Sequence, residues 1–203
     1  MVSSAPYARN EKAEAAQMNS PQQISEYLAH EPPEDFRWED WVPTDRAVIV
    51  FVVDRDRDQV LLIHKKRGLG SGMINGPGGK LEHDESFLQA ARRETQEEVG
   101  VQIHDPQAMA RLDFVFADGY SLEVVAFVAE SWDGEPVETE EADPFWCNIG
   151  EIPFEQMWAD DRLWLSSVLE GQLLRGRFIF RKEDMLFADI QACKEILLDH
   201  DDQ

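Results

Sequence analysis

Residues 79–101 read GKLEHDESFLQAARRETQEEVGV, a stretch that predicts a loop running directly into a helix. Ser86 and Gln89 are spaced as in a capping box, which would begin the helix, and Gly100 is typical of the residue that ends one. The apolar stripe that would hold this helix against a sheet consists of Leu88, Ala91, Thr95 and Val99. The stretch therefore predicts a loop–helix unit packed on a sheet.

Three glutamates lie on the other side of this helix. Glu94, Glu97 and Glu98 stand at i, i+3 and i+4, so they share one face near the C-terminal end, where the helix dipole disfavours anions. An acidic, solvated face is the ordinary interpretation of such a cluster. The alternative is a bound cation, because carboxylate oxygens suit Mg²⁺ or Mn²⁺, which also bind diphosphate oxygens. Arg93 lies four residues before Glu97 and can orient it.

The flanking sequence supplies the rest of an α+β domain. Two apolar runs rich in β-branched residues, 47–54 and 59–67, predict a hairpin around the turn at 55–58. Further strands are predicted at 113–117, 122–131, 143–149 and 176–181, and a second helix at 159–172. This order of elements favours a mixed sheet packed between helices.

Composition divides the chain into an N-terminal arm at 1–45, a domain at 46–198 and an acidic tail at 199–203. The arm is expected to be partly disordered, with a short helix at 20–30. Its aromatic residues Phe36, Trp38 and Trp41 are the expected anchors on the core. Nothing in the sequence of the arm identifies a protein partner.

The chain is strongly acidic, with a formal net charge of −22 over 203 residues. Such a surface repels nucleic-acid backbones and anionic membranes, so a nucleic-acid polymer or a membrane is not expected as a partner. It also repels a free nucleotide unless local cations or a metal reverse the sign. The two cysteines, Cys147 and Cys193, fit a reducing compartment, and no apolar run is long enough to span a bilayer. A cytoplasmic protein is expected.

The spacing within residues 79–101 resembles the signature of the Nudix hydrolases. That signature reads glycine, five residues, glutamate, seven residues, Arg-Glu, an apolar position, one residue, Glu-Glu, one residue, glycine and an apolar position. Every glycine and charged position is matched, and Thr95 alone departs, at an apolar position. The resemblance implies the Nudix fold, an α/β/α sandwich, and Mg²⁺-dependent cleavage of a nucleoside-diphosphate linkage. The metal ligands it implies are Gly79, Glu94, Glu97 and Glu98, with Arg93 among the catalytic residues.

Two further segments, 65–80 and 152–164, are similar to the oxidized purine nucleoside triphosphatases, the 8-oxo-dGTP diphosphatases. The similarity runs from about Val48 to Phe187. It implies a nucleotide substrate whose base is contacted by Asn75, stacked on by Trp158 and read along its edge by Asp160 and Asp161.

The same resemblance assigns further residues. Phe114 and Phe116 match aromatic pocket positions, and Glu141 matches an acidic residue on a loop that faces the metal site. Two positions depart from the family. Leu69 stands where phenylalanine is common, and Ala159 stands where proline is usual. Both departures affect the base pocket.

The residues themselves support a purine pocket. Trp158 offers a large π-face, and stacking contributes about 1–3 kcal/mol per base. If Asp160 and Asp161 shared a closed pocket, repulsion and desolvation would keep one of them protonated, so that it could donate to a carbonyl oxygen. The alternative is that one aspartate caps the following helix and that Trp158 lies in the core. Phe114 and Phe116 lie on one side of their strand, which is pocket or core.

The predicted reaction is metal-assisted attack of water on phosphorus, which releases a nucleoside monophosphate and pyrophosphate. Glu97, Glu98 and Glu141 are the candidates for the base. One alternative is another substrate, such as ADP-ribose, a dinucleoside polyphosphate or an undamaged nucleoside triphosphate. A second is a Nudix module that binds nucleotides without catalysis; such modules usually lack a glutamate of the signature, and this chain has them all.

Overall fold

The computed structural model describes residues 38 and 41–198. The expectations for the arm before Trp38, including the helix at 20–30 and the Phe36 anchor, lie outside the described residues, as does the tail at 199–203. Within the described part, no helix is both long and apolar enough to cross a membrane.

Residues 41–198 form ten strands and two α-helices. The strands are β1 (Asp45–Asp54), β2 (Gln59–Lys65), β3 (Ile74–Asn75), β4 (Gln102–His104), β5 (Gln107–Phe116), β6 (Ser121–Ala129), β7 (Ser131–Asp133), β8 (Ala142–Asn148), β9 (Leu174–Arg181) and β10 (Asp184–Ala192). The helices are α1 (Phe87–Val99) and α2 (Asp161–Leu169).

Eight strands form one mixed sheet in the order β10-β9-β5-β6-β1-β2-β3, with β8 also paired to β2. β1 runs parallel to β6 and β5 runs parallel to β9, whereas the predicted β1–β2 hairpin is antiparallel. The strands β4 and β7 form a separate pair. The predicted mixed sheet is therefore confirmed.

β1 is buried on both faces, which explains its uninterrupted apolar sequence. Phe51 faces α2, with its ring 5.9 Å from that of Trp164, whereas Val50 belongs to a second apolar cluster that includes Phe87 of α1. The two helices thus cover opposite faces of the sheet. The α/β/α sandwich expected from the signature is confirmed.

Both predicted ends of α1 are confirmed. Ser86 accepts a hydrogen bond from the Gln89 N–H (3.2 Å) and donates its own N–H to the Gln89 side chain (2.8 Å). At the other end, Gly100 has a φ of 73°, and its N–H donates to the Gln96 carbonyl. Ala91, Thr95 and Val99 are buried as predicted, but Leu88 is only partly buried, and Phe87 takes its place in the stripe that faces the sheet. These caps fix the helix that carries the glutamates.

The glycine-rich loop pairs with β1 along the part of its edge that β2 does not cover. The Val48 N–H donates to the Gly79 carbonyl (2.9 Å), and the Val50 N–H donates to the Pro77 carbonyl (2.8 Å). A Cβ atom on Gly78 would collide with the Val48 backbone. The loop can lie this close to β1 because it lacks side chains there.

Some predicted bounds were wrong. The strands β3, β4, β7 and β10 were not predicted. The first three have two or three residues, too few to show a periodicity, and β10 is an edge strand with buried side chains only at Ala188 and Ile190. The second helix is shorter than 159–172, and β5 begins well before residue 113.

Trp38 packs on the edge of the sheet. Its ring lies 6.3 Å from the ring of Phe187 and 5.2 Å from the guanidinium carbon of Arg177. Trp41 contacts Trp38 edge-on, at 5.8 Å. Trp38 thus contacts β9 and β10 outside the two core clusters, and Trp41 packs against Trp38.

Candidate active site

A cavity of about 430 Å³ lies beside β1, between the glycine-rich loop and α2. It is lined by eleven of the site residues predicted from the sequence: Leu69, Asn75, Gly79, Glu94, Glu98, Phe114, Phe116, Glu141, Trp158, Asp160 and Asp161. Arg93 and Glu97 do not line it. One end is acidic and borders the glycine turn, and the other is aromatic.

Glu98 is the most enclosed of the three helical glutamates, with 2% of its surface exposed. One carboxylate oxygen accepts from the Gly78 N–H (2.8 Å), and the other accepts from the Lys65 ammonium (3.0 Å). The same ammonium donates to the Gly78 carbonyl (3.2 Å). Lys65, Gly78 and Glu98 therefore form one bonded unit at the acidic end.

Glu94 lies against the neighbouring glycine. A Cβ atom on Gly79 would overlap the Glu94 carboxylate, so glycine at this position leaves room for that side chain. Burial raises the pKa of Glu94, and the hydrogen bond from Arg93 (2.8 Å) opposes that rise. The Gly79 carbonyl accepts from Val48 and keeps a second lone pair for another partner.

Arg93 organises the acidic end from outside the cavity. Its guanidinium binds Glu85 through two hydrogen bonds (2.8 and 2.7 Å), Glu94 (2.8 Å) and Glu97 (3.2 Å). These contacts raise the pKa of Arg93, so it stays charged. The predicted orientation of Glu97 by Arg93 is confirmed, although Glu97 has 59% of its side chain exposed.

The donor set at this end fits a hard cation, because carboxylates from α1 meet the backbone of the glycine turn and all the offered atoms are oxygens. In residues 41–198, however, no three acidic, histidine or cysteine side chains converge as a metal-binding group. Instead, each helical glutamate is held by Lys65 or Arg93. Metal ligation by Gly79, Glu94, Glu97, Glu98 and Glu141 stays a prediction.

Glu141 enters the cavity from the loop before β8. It forms an ion pair with Arg67, and this contact lowers the pKa of Glu141. Its backbone carbonyl accepts from the Lys66 N–H (2.9 Å), which ties this loop to the end of β2. Glu141 is thus an ionised group that lines the cavity from the loop before β8.

The aromatic end is built on β5, β9 and the segment before α2. Trp158 meets Phe180 at 5.6 Å and Phe116 at 6.2 Å, both edge-on. Phe114 stacks on Phe178 at 5.1 Å. Phe114 and Phe116 line the cavity and also pack against the α2-side core, so the pocket and core interpretations both hold.

Asp160 and Asp161 are buried at this end, with 2% and 3% of their surfaces exposed. Asp160 accepts from the Trp164 indole N–H (2.9 Å), but Asp160 Oδ1 and Asp161 Oδ2 have no partner among the described residues. Desolvation raises the pKa of Asp160 to about 6, and desolvation together with the Asp160 charge raises the pKa of Asp161. Asp160 makes no side-chain capping bond to α2, so the helix-cap alternative for it is wrong.

Asn75 and Leu69 complete the predicted base pocket. The Asn75 side-chain oxygen accepts from the Gly76 N–H (3.0 Å), which leaves its amide N–H groups for a ligand. Leu69 lies at the rim and is 48% exposed. Next to it, Gly70 approaches the Trp158 indole so closely that a Cβ would lie 2.9 Å from its nitrogen.

Sequence reasoning missed four polar residues of the cavity. These are Lys65, Arg67, Lys80 and Tyr120. The three basic residues flank the glycine-rich loop, and the expectation that a −22 chain needs local cations could have singled them out. Tyr120 gave no signal, because only the fold brings the turn between β5 and β6 to the cavity.

The loop–helix and the sheet that carries it define the class of protein. The chain belongs to the family described as NUDIX domain, whose model matches residues 43–168. The resemblance of residues 79–101 to the Nudix signature is therefore confirmed.

Particular relatives share more of the chain. It is 42% identical over 139 residues to the oxidized purine nucleoside triphosphate hydrolase of Danio rerio, across 68% of this chain and 88% of that protein. It is 35% identical over 141 residues to the Mus musculus protein of the same name, across 69% and 89%. The crystal structure of a MutT protein from Bacillus halodurans matches with a TM-score of 0.63 at 28% identity, over 72% of this chain and 97% of that one.

Proposed function

We propose that this protein hydrolyses oxidized purine nucleoside triphosphates, such as 8-oxo-dGTP or 2-oxo-dATP, to the monophosphate and pyrophosphate. Mg²⁺ is the proposed cofactor and Mn²⁺ its substitute. The names of the Danio rerio and Mus musculus relatives support the substrate class. The biological role that follows is removal of damaged nucleotides before they enter DNA.

The observation that carries the proposal is the pair of buried carboxyl groups at the aromatic end. Each has one oxygen without a partner in the part of the chain that the structure describes, and burial holds both pKa values high. A carboxylate accepts from a purine N–H, and a protonated carboxyl donates to the carbonyl that oxidation adds. Asp160 and Asp161 can therefore match the edge of an oxidized guanine, or that of 2-oxoadenine by moving a proton.

At the acidic end, the residues that would hold Mg²⁺ are Gly79, Glu94, Glu97, Glu98 and Glu141. The ion would supply Lewis-acid charge to the triphosphate oxygens. The protein itself orients the carboxylates, because Arg93 bonds to both Glu94 and Glu97. The base that takes the proton of the attacking water is Glu97, Glu98 or Glu141; of these, Glu98 and Glu141 line the cavity.

Local cations offset the charge of the chain at this site. Lys65, Arg67 and Lys80 line the cavity, although the formal net charge is −22. The oxygens of a triphosphate can replace one of the carboxylates that bind these basic side chains.

The proposed partner is a small nucleotide, and a nucleic-acid polymer or a membrane is not proposed. A cytoplasmic location fits this substrate and stays a prediction, as do the domain bounds of 46–198. No partner is proposed for the arm.

A substrate panel tests the proposal. We expect 8-oxo-dGTP or 2-oxo-dATP to be hydrolysed with a higher kcat/KM than O6-methyl-dGTP or dGTP, and the products to be monophosphate and pyrophosphate. Glu98→Gln is the inactive control and should lose about 10²–10⁴-fold in kcat. Faster hydrolysis of ADP-ribose, a dinucleoside polyphosphate or dGTP would reassign the substrate, and nucleotide binding without turnover would indicate a non-catalytic module.

A further inference from the structure

The wall between the two ends of the cavity carries a polar cluster that takes no part in the chemical step described above. Of its members, only Lys80 has a role so far, as a local cation. Asp45 Oδ2 accepts from the Tyr120 hydroxyl (2.9 Å) and from the Lys80 ammonium (2.6 Å). The Lys80 nitrogen lies 5.2 Å from the centre of the Tyr120 ring. Asp45, Lys80 and Tyr120 come from three separate segments, so the fold alone creates this cluster.

The cluster bridges the aromatic and acidic ends. Tyr120 follows the Asp118–Gly119 turn, and its ring lies 5.7 Å from that of Phe116. Lys80 directly follows Gly79 and is held to β1 by a bridge to Ala47. Both Tyr120 and Lys80 line the cavity. They form a continuous wall from the proposed base end to the proposed phosphate end.

The covalent structure of a nucleotide determines which of its groups lies beside this wall. A sugar joins the base to the first phosphate, so a nucleotide with its base near Phe116 and its phosphates near Gly79 has its sugar between them. Other side chains along β1 and β6, such as Ile49, Leu122 and Val124, are apolar and cannot bind a hydroxyl. On this wall, the polar side chains that line the cavity are Tyr120 and Lys80.

The cluster has unused hydrogen-bonding capacity. An ammonium group has three donors, and Asp45 takes one of those of Lys80. The Tyr120 hydroxyl donates to Asp45 and lies beside the Lys80 ammonium, and its oxygen has a second lone pair for a ligand. The contacts with Lys80 and Tyr120 lower the pKa of Asp45, so it stays an acceptor that holds both groups in place.

We propose that Tyr120 and Lys80 form a sugar subsite that hydrogen-bonds the 3′-hydroxyl of the nucleotide, with Asp45 as their positioning residue. The proposal rests on the proposed function, because it takes the base and phosphate ends from it. It assigns this wall to recognition rather than to chemistry. Loss of a contact should therefore change the preference between sugars within one variant.

The test compares 8-oxo-dGTP with its 2′,3′-dideoxy analogue, which lacks only the 3′-hydroxyl. The wild-type protein should prefer 8-oxo-dGTP by about tenfold in kcat/KM, the ordinary effect of one hydrogen bond to a charged group. Tyr120→Phe should reduce this ratio by about half or more, and Asp45→Asn should bring it close to one. Asp54→Asn, at the other end of β1, is the matched control and should keep the wild-type ratio.

The ratio is measured within each variant, so a partly unfolded preparation does not change it. A wild-type ratio of one, or an unchanged ratio in Asp45→Asn and Tyr120→Phe, would overturn the sugar subsite while the proposed function stands. A change confined to the ratio of 8-oxo-GTP to 8-oxo-dGTP would also overturn it and point to the 2′-hydroxyl. Absence of hydrolysis of 8-oxo-dGTP by the wild-type protein would instead contradict the proposed function.

Discussion

Asp160 and Asp161 illustrate how single residues link recognition to stability. Burying two adjacent carboxyl groups is unfavourable when they are ionised, and the fold offers one indole N–H to one of them. The pKa values of both groups are raised because burial disfavours the ionised form. A ligand that donates hydrogen bonds to the free oxygens would reduce this unfavourable free energy of burial. We therefore interpret the burial of the pair as part of substrate selection.

The stability of the protein should therefore depend on pH through this pair. Between pH 4 and pH 6 the folded protein keeps the Asp160 proton that the unfolded chain loses, so the free energy of unfolding falls as the pH rises. The raised pKa of Asp161 extends the fall to higher pH. Urea unfolding of an Asp160→Asn/Asp161→Asn variant should show a smaller fall and a higher stability than wild type at pH 8.

The matched control for this prediction is Asp184→Asn, an exposed aspartate on β10. It should keep the wild-type dependence of unfolding free energy on pH. Equal slopes in the wild type and the Asp160→Asn/Asp161→Asn variant would show that the pair does not carry this linkage.

At the scale of elements, the loop–helix unit was predictable because its signals are local. The capping box and Gly100 act within a few residues of themselves, and the structure has both. The buried central strand was also predictable, since its apolar run reflects two covered faces. The edge strand β10 and the short paired strands β4 and β7 were not predictable, because tertiary contacts rather than periodicity create them.

Gly79 provides the sharpest test of this element. Gly79→Ala places a methyl group on the Glu94 carboxylate, which must move away from the turn. We expect weaker Mn²⁺ binding, measured by electron paramagnetic resonance, and a fall in kcat of at least about tenfold, the effect of a misplaced catalytic group. Gly150→Ala is the control, because a Cβ there meets no atom within 4 Å. Wild-type Mn²⁺ affinity in Gly79→Ala would remove Glu94 from the metal site.

At the scale of the whole molecule, the sheet brings together residues that no local pattern connects. The α1 side of the loop provides carboxylates, while β5, β9 and α2 provide aromatic residues and the aspartate pair. The family resemblance placed most of these in one site, and the structure brings eleven of them into one cavity. Tyr120 escaped prediction because its role depends on which strands are neighbours.

The central claim is that the buried aspartate pair selects an oxidized purine for hydrolysis. The most direct measurement is the ratio of kcat/KM for 8-oxo-dGTP to that for dGTP, in the wild type and in Asp160→Ala and Asp161→Ala. We expect a wild-type ratio of at least about 10, since one lost pairing costs about 1.4 kcal/mol or more. Each variant should bring that ratio towards one. An unchanged ratio in both variants, or a wild-type ratio of one, would contradict the account.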